Sequence, residues 1–332
     1  MKKLDVLVKK METIAKSKPV KIVVCEGWDE RCIEAAADIL KKEIAGIVLL
    51  GNPNEINSKA KKLGFDVSKA KIVDFMKNEK LRKELAEKLV EVRKHKGMDL
   101  KTAMKLMDDH NYFACMYTLA GHADGVAGSA ITSTGALMKP ALQILRKPDS
   151  MVSEVCVLSD VKNDRIIFGS DFSMGIKLSS EQLAQVTLSA VKVVKMFDIE
   201  PRVAMLSFST KGSGGEGPEI QLIRNAMAIV KEKNPELLID GELQVDAAVS
   251  EFGMKKKCPD SPLKGNANTL IFPDLTSSNI FAHGLGQFSN MTLDFSILEG
   301  MQKPVGIVGR STPAKTVRDI IISCAMQSNA EK

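Results

Sequence analysis

Between Ser207 and Glu219 the chain reads SFSTKGSGGEGPE, which gathers hydroxyls at Ser209, Thr210 and Ser213, an amine at Lys211 and glycines from Gly212 onward. Small residues let backbone N–H groups approach a ligand, and the hydroxyls and lysine add donors, so the mixture suits an anion such as a phosphate. The preceding Val203–Phe208 is apolar and of strand length. Pro218 stands where a helix would begin, and Ile220, Ile223, Met227 and Val230 share one helical face beyond it. Strand, glycine turn and helix N-terminus together form a construction for holding negative charge, although a lone glycine motif serves equally as a plain surface turn. Gly212, Gly214 and Gly217 also spell G-x-G-x-x-G, with Asp240 at the distance of a ribose-binding acid. A dinucleotide site is disfavoured because three polar residues separate the strand from the first glycine and Pro218 puts the third glycine ahead of the helix.

A second turn of the same kind runs from Asp124-Gly125-Val126-Ala127-Gly128-Ser129-Ala130 into Thr132-Ser133-Thr134-Gly135, ahead of a helix ending near Leu145. Close packing explains such small residues as well as a ligand does. Arg93-Lys94-His95-Lys96-Gly97 ends a charged helix. There the cations complement the helix dipole, and they also suit an anion. Glu26 to Arg31, after a buried strand, lies where ligands collect in parallel sheets, and its charges equally suit a helix cap.

The elements that must position these residues alternate. Strands are expected at Lys21–Cys25, Gly46–Leu50 and Lys71–Val73, with helices at about 29–42, to Leu63 and at about 79–94; short helices follow over 100–107 and 110–120. This order predicts a parallel sheet covered on both faces. Arg146–Ser150 reads as a linker. Val152–Leu158 and Arg165–Gly169 read as antiparallel strands, and Ser179 with Gln182 gives capping-box spacing at the start of a helix to Phe197. The run LLID, a strand at Thr269–Phe272, a helix opened by Pro273–Asn279, a strand at Pro304–Val308 and a C-terminal helix complete the chain.

With 332 residues, 44% of them hydrophobic and 27% charged, the chain is an ordinary globular protein of two-domain size. Its net charge of +6 is scattered, and one Trp and two Tyr give no basic stripe with interleaved aromatics, which argues against nucleic acid as a partner. Six cysteines stand singly and four histidines form no ligand spacing, so no metal is expected and the thiols read as reduced. Neither a signal peptide nor a membrane-length apolar run is present, so a cytoplasmic protein with no membrane partner is expected.

The motifs VAMLSFSTKGSGGEGPE, LLIDGELQVDAAV, ANTLIFPDLTSSNI, ADGVAGSAITSTG followed by KPALQI, EGWDER, LLGNPNEI and RKHKGM resemble, in order and over nearly the whole chain, the phosphate acetyltransferase and phosphate butyryltransferase family. That resemblance implies an α/β fold of two domains with mainly parallel sheets separated by a cleft, similar to isocitrate and isopropylmalate dehydrogenases. The domains would be 1–150 with 302–332, and 151–301. It also implies a homodimer, and a reaction converting acetyl-CoA and phosphate to acetyl phosphate and coenzyme A. Propionyl or butyryl transfer, a non-catalytic acyl-CoA-binding relative and, more remotely, a dehydrogenase are the alternatives. Coenzyme A enters as a substrate, with no permanently bound cofactor; acyl-CoA, phosphate and acyl phosphate are the expected partners.

By the same resemblance Ser209, Thr210, Lys211, Gly212, Ser213 and Asn279 would contact phosphate or acyl group, and Arg93, Thr132, Ser133, Thr134 and Lys139 would contact coenzyme A. Lys139 stands where the family usually has an arginine, whose bidentate grip a lysine does not reproduce. The catalytic segment reads PVGIVGRSTPAKTVRDII. It aligns Arg310 and Asp319 with the family's arginine and aspartate, sets Gly309 at the serine position with Ser311 as the adjacent substitute, and leaves three extra residues before Asp319. Thr312-Pro313 reads as an N-cap and first helical residue. Asp319 would take the thiol proton and Arg310 would hold the phosphoryl oxygens.

Overall fold

The computed structural model describes residues 2–330. The chain divides into two compact units, one of Val8–Ser150 with the segment from Gly300 onward, the other of Met151–Glu299 with the first residues to Leu7. Among the described residues eleven strands fall into two sheets: β1 Lys21–Val24, β2 Gly46–Leu50, β3 Lys71–Val73, β4 Gly125–Gly128, β5 Ser153–Asp160, β6 Arg165–Ser170, β7 Arg202–Leu206, β8 Leu238–Leu243, β9 Thr269–Ile271, β10 Met291–Glu299 and β11 Val305–Ile307.

In the first unit all five strands run parallel in the order β11-β4-β1-β2-β3. Short apolar runs such as KIVV and GIVLL are buried along nearly their whole length, as strands covered on both faces must be. The helix Glu30–Lys41 turns Cys32, Ile33, Ala36, Ile39 and Leu40 inward, and Asp29 caps it by accepting from Arg31 N. The last helix, Ala314–Ala330, is buried from Val317 to Asn329. It lies so close to β11 that a Cβ on Gly306 would stand 2.6 Å from Ile320 Cγ2, so only glycine fits there.

The second unit has a mixed sheet, β10-β5-β6-β9-β7-β8. The hairpin β5–β6 is antiparallel as expected, β6, β9, β7 and β8 are parallel, and the helix Ser180–Met196 opens with both bonds of the Ser179–Gln182 capping box. Strand β10, which pairs antiparallel with β5, went unread in the sequence. Its alternation is blurred because Phe295 to Glu299 are all buried, whereas Thr292 and Leu293 are exposed. The charged Glu299 gains Lys192 as a partner at 2.8 Å.

Candidate active site

The C-terminal ends of β1, β4 and β11 bring three loops together in the first unit. Arg31 joins them. Its Nε and Nη2 make a two-pronged contact with Asp29 at 3.0 and 2.9 Å, while Nη1 donates to the carbonyls of Arg310 at 2.8 Å and Thr312 at 3.0 Å and Nη2 also donates to Ala130 O at 2.7 Å. Burial works against ionisation of Asp29, but the hydrogen bonds and charge of Arg31 overcome it and hold the carboxyl below its usual range. The EGWDER segment therefore both caps a helix and ties the strand-end loops, so its two readings are compatible.

Deeper at the same strand ends lies Glu26, which is fully buried. Its Oε1 accepts from Ser129 N at 3.1 Å and from Thr132 Oγ1 at 3.2 Å, with His110 Nε2 3.4 Å away. Its Oε2 is buried without a hydrogen-bond partner. Ser129 takes φ +72, an uncommon conformation for a side-chain-bearing residue, as its N–H meets the carboxylate.

Arg310 is exposed just beyond β11, and its guanidinium has no protein partner among the described residues. Ser311 beside it is also exposed. Thr312 departs from the expected N-cap role: its hydroxyl takes the N–H of Gly309 at 2.9 Å. Asp319 departs further. It lies in the second turn of the last helix, buried, and accepts from Arg318 Nη1 at 2.7 Å, while Arg318 also pairs with Glu12 and Asp38. Burial keeps its carboxyl above the ordinary range against the pull of Arg318. The helix begins only at Ala314, and the nine residues after Arg310 carry Asp319 into this interior network.

Of the residues assigned to coenzyme A, Thr132 is half-buried on Glu26, while Ser133, Thr134 and Lys139 are exposed. Ser133 is the N-cap of helix Thr134–Ile144 and makes no side-chain cap bond; of the first N–H groups, Ala136 N donates to Ser133 O at 2.9 Å. Arg93 ends the helix Glu79–Arg93 and is half-buried, its Nε without a partner.

In the second unit the glycine loop is closed on itself. Glu242, buried at the end of β8, accepts from Gly212 N at 2.6 Å and from Ser209 Oγ at 3.3 Å, and Arg224 Nε meets its other oxygen at 3.0 Å. Lys211 is paired with Asp240 and donates to Gly241 O at 2.7 Å. Thr210 N donates to Ser213 Oγ at 2.9 Å, and Thr210 Oγ1 accepts from Gln244 N at 3.0 Å. Burial pushes the Glu242 carboxyl upward, yet the hydrogen bonds from Arg224 and Gly212 bring it down to about 2. In the structure Glu242 and Asp240 engage the donors of this loop. Asn279 is exposed on the helix Leu275–Phe288, apart from these bonds.

The sequence marks Glu26 to Arg31 as a ligand-collecting or capping segment without giving them a role, and it does not mark His110. Glu26 and Arg31 carried a signal, since they follow a buried strand; His110 carried none. Among the described residues no group of three His, Cys, Asp or Glu is placed to hold a metal. All six cysteines are free and buried, and burial pushes Cys324 up to about 12, so thiolate chemistry by the protein itself has no candidate.

Residues 6–327 match the model of the phosphate acetyl/butaryl transferase family. The chain is 38% identical over 321 residues to a phosphate acetyltransferase of Thermoanaerobacterium thermosaccharolyticum, covering 95% of this chain and 97% of that one. It is 38% identical over 314 residues to one of Bacillus subtilis, covering 94% and 95%. A crystal structure of a phosphotransacetylase from Streptococcus pyogenes superposes with a TM-score of 0.89 at 34% identity, over the full length of both chains.

Proposed function

This chain belongs to the phosphate acetyl/butaryl transferase family, and we propose that it transfers an acetyl group between coenzyme A and inorganic phosphate. The observation that carries the reading is its near-full-length likeness to acetyl-transferring relatives. Arg310, exposed just beyond β11, adds to it. In this reading Arg310 holds the phosphoryl oxygens, with charge-assisted bonds that strengthen as negative charge collects on the departing phosphate. Arg31 fixes the Arg310 loop by its backbone and so presents the guanidinium. The open helix start at Ser133 and Thr134, with Lys139 and Arg93, supplies positive potential for the phosphates of coenzyme A.

The assembly would be a homodimer. Ile280 and Phe288 on the helix Leu275–Phe288 are 67% and 92% exposed, and Leu293 on β10 is also open, a set of apolar side chains that a second copy would cover. No helix among the described residues is long and apolar enough to cross a membrane. The reduced buried thiols suit a cytoplasmic enzyme.

Free thiol released from acetyl-CoA by the purified protein, dependent on phosphate or arsenate, tests this reading. Release with butyryl-CoA but not acetyl-CoA would reassign the acyl group. Binding of acyl-CoA without turnover of either would overturn the enzyme in favour of a sensor.

A further inference from the structure

We infer that Glu26 is a positioning residue for coenzyme A, setting from beneath the turn 129–135 that meets this substrate; the inference rests on the acyl-transfer reading above. Glu26 sits two residues beyond β1 and is fully buried, an unusual place for a carboxylate. Its Oε1 accepts from Ser129 N at 3.1 Å and from Thr132 Oγ1 at 3.2 Å, so one oxygen grips both ends of the stretch 129–132 as it leaves β4. The reach is short because β4 lies beside β1 in parallel register, Val24 against Ala127. A Cβ on Gly128 would stand 2.6 Å from Cys25 Sγ. That close approach brings the residue after Cys25 under the residue after Gly128.

The turn is held in a shape that local sequence does not favour. Ser129 takes φ +72, a region in which a side-chain-bearing residue is strained. In that conformation its N–H meets the carboxylate, and its Oγ donates to Ser133 O at 3.2 Å. Arg31 Nη2 adds a further tie at Ala130 O, 2.7 Å away. Above this bonded underside Ile131, Ser133, Thr134 and Lys139 are exposed. The protein fixes one side of the turn and leaves the other open.

A tie made for stability alone would not take this form. A buried carboxylate is costly unless both oxygens are engaged, and Oε2 of Glu26 has no hydrogen-bond partner. Such departures from the cheapest packing are kept where a binding loop must hold one geometry. The loop that carries the coenzyme decides how firmly the thioester is held and how its acyl carbon is aligned for phosphate. In this assignment Glu26 touches no substrate. It acts through Ser129 and Thr132.

The test is phosphate-dependent thiol release by the full-length protein, with acetyl-CoA varied, in the wild type, Glu26→Gln and Glu26→Leu. Glutamine keeps an oxygen that accepts from Ser129 and Thr132, whereas leucine fills similar space and accepts nothing. Glu26→Leu should raise the KM for acetyl-CoA by about tenfold or more. Its KM for phosphate should stay within about threefold, because Arg31 keeps Asp29 and the carbonyls of Arg310 and Thr312. Glu26→Gln should hold both constants within about threefold of wild type. An active wild type with unchanged acetyl-CoA KM in folded Glu26→Leu overturns the inference alone, and so does equal impairment of Glu26→Gln. A loss confined to kcat, the mark of a smaller folded fraction, overturns it as well. A wild type that turns over no acyl group overturns it together with the function it rests on. Should Glu26→Leu fail to fold, Glu26→Asp, one methylene too short to reach both donors, must raise the acetyl-CoA KM by about threefold or more; a value equal to wild type overturns the assignment.

Discussion

The chain carries two turns of small and hydroxylated residues, and they end in opposite states. At 209–214 the hydroxyls, the lysine and the backbone N–H groups close on Glu242, Asp240 and Gln244. At 129–135 the helix start is uncapped, and the buried carboxylate beneath it keeps one oxygen without a partner. Loop composition reports which donors exist. Whether they are free is decided some 30 residues away in the first turn, by a carboxylate at the end of the neighbouring strand β8, and 100 residues away in the second, where Glu26 stands at the end of β1.

The largest expected effect tests whether the phosphate belongs with the open turn. Arg310→Ala should lower kcat by about 10²- to 10³-fold in phosphate-dependent thiol release, since it removes a charged contact to the reacting group. Lys211→Ala should leave the KM for phosphate within about threefold, because that amine is engaged by Asp240. A tenfold or greater rise in phosphate KM for Lys211→Ala, with Arg310→Ala near wild type, would invert the comparison and return the anion to the glycine loop.

Next in size is the fate of Asp319. Arg318→Met leaves the buried Asp319 unpaired and frees Glu12 and Asp38, and should cost about 3–5 kcal/mol of stability in denaturant unfolding. Asp319→Asn keeps the shape and one hydrogen bond, and should hold kcat within about twofold. A hundredfold fall in kcat for Asp319→Asn, with its stability intact, would restore it as the thiol base.

The closed turn makes a smaller, pH-dependent claim. Glu242 titrates in the folded protein at about 2, below an unfolded value of about 4.3. Its contribution is therefore fully present above that unfolded value and is lost as pH falls toward about 2. Glu242→Gln should remove about 1–3 kcal/mol at neutral pH by weakening the bonds from Arg224 and Gly212. The gap in Tm between wild type and variant should narrow as pH drops from about 5 toward 2. A gap independent of pH would mean that the carboxylate is not what closes the loop.

These contrasts mark what could be read in the sequence. The parallel order of the first unit was legible, because apolar runs such as KIVV and GIVLL alternate with amphipathic helices and each connection is short. The capping box at Ser179 was legible for the same reason, being local. Strand β10 was not, since its exposed and buried halves follow different patterns and its partner β5 lies some 130 residues earlier. Site residues split along the same line. Arg310 could be aligned from its motif, but Asp319 could not be placed, because a shift of one helical turn decides whether a carboxylate faces the strand ends or the interior. His110 was invisible, because its neighbours Glu26 and Trp28 follow β1 and Phe75 follows β3, all far from it in the chain.

The smallest expected effect concerns Gly309, which stands at the family's serine position. A Cβ built there would come 2.9 Å from Thr312 Oγ1, and that hydroxyl already accepts the Gly309 N–H. The space a serine would use is thus partly occupied by another hydroxyl, held two residues before the helix begins. Gly309→Ser requires the Thr312 side chain to rotate away, which is feasible for a terminal hydroxyl but forfeits a hydrogen bond worth about 1 kcal/mol. Gain and loss nearly cancel, and kcat should change by less than about threefold in either direction. The double variant Gly309→Ser with Thr312→Val separates the two hydroxyls: with the collision reduced and the original hydroxyl removed, it should match Gly309→Ser alone. A tenfold rise in kcat for the single variant would show that Thr312 does not stand in for the serine, and that the chain works with a donor missing beside Arg310.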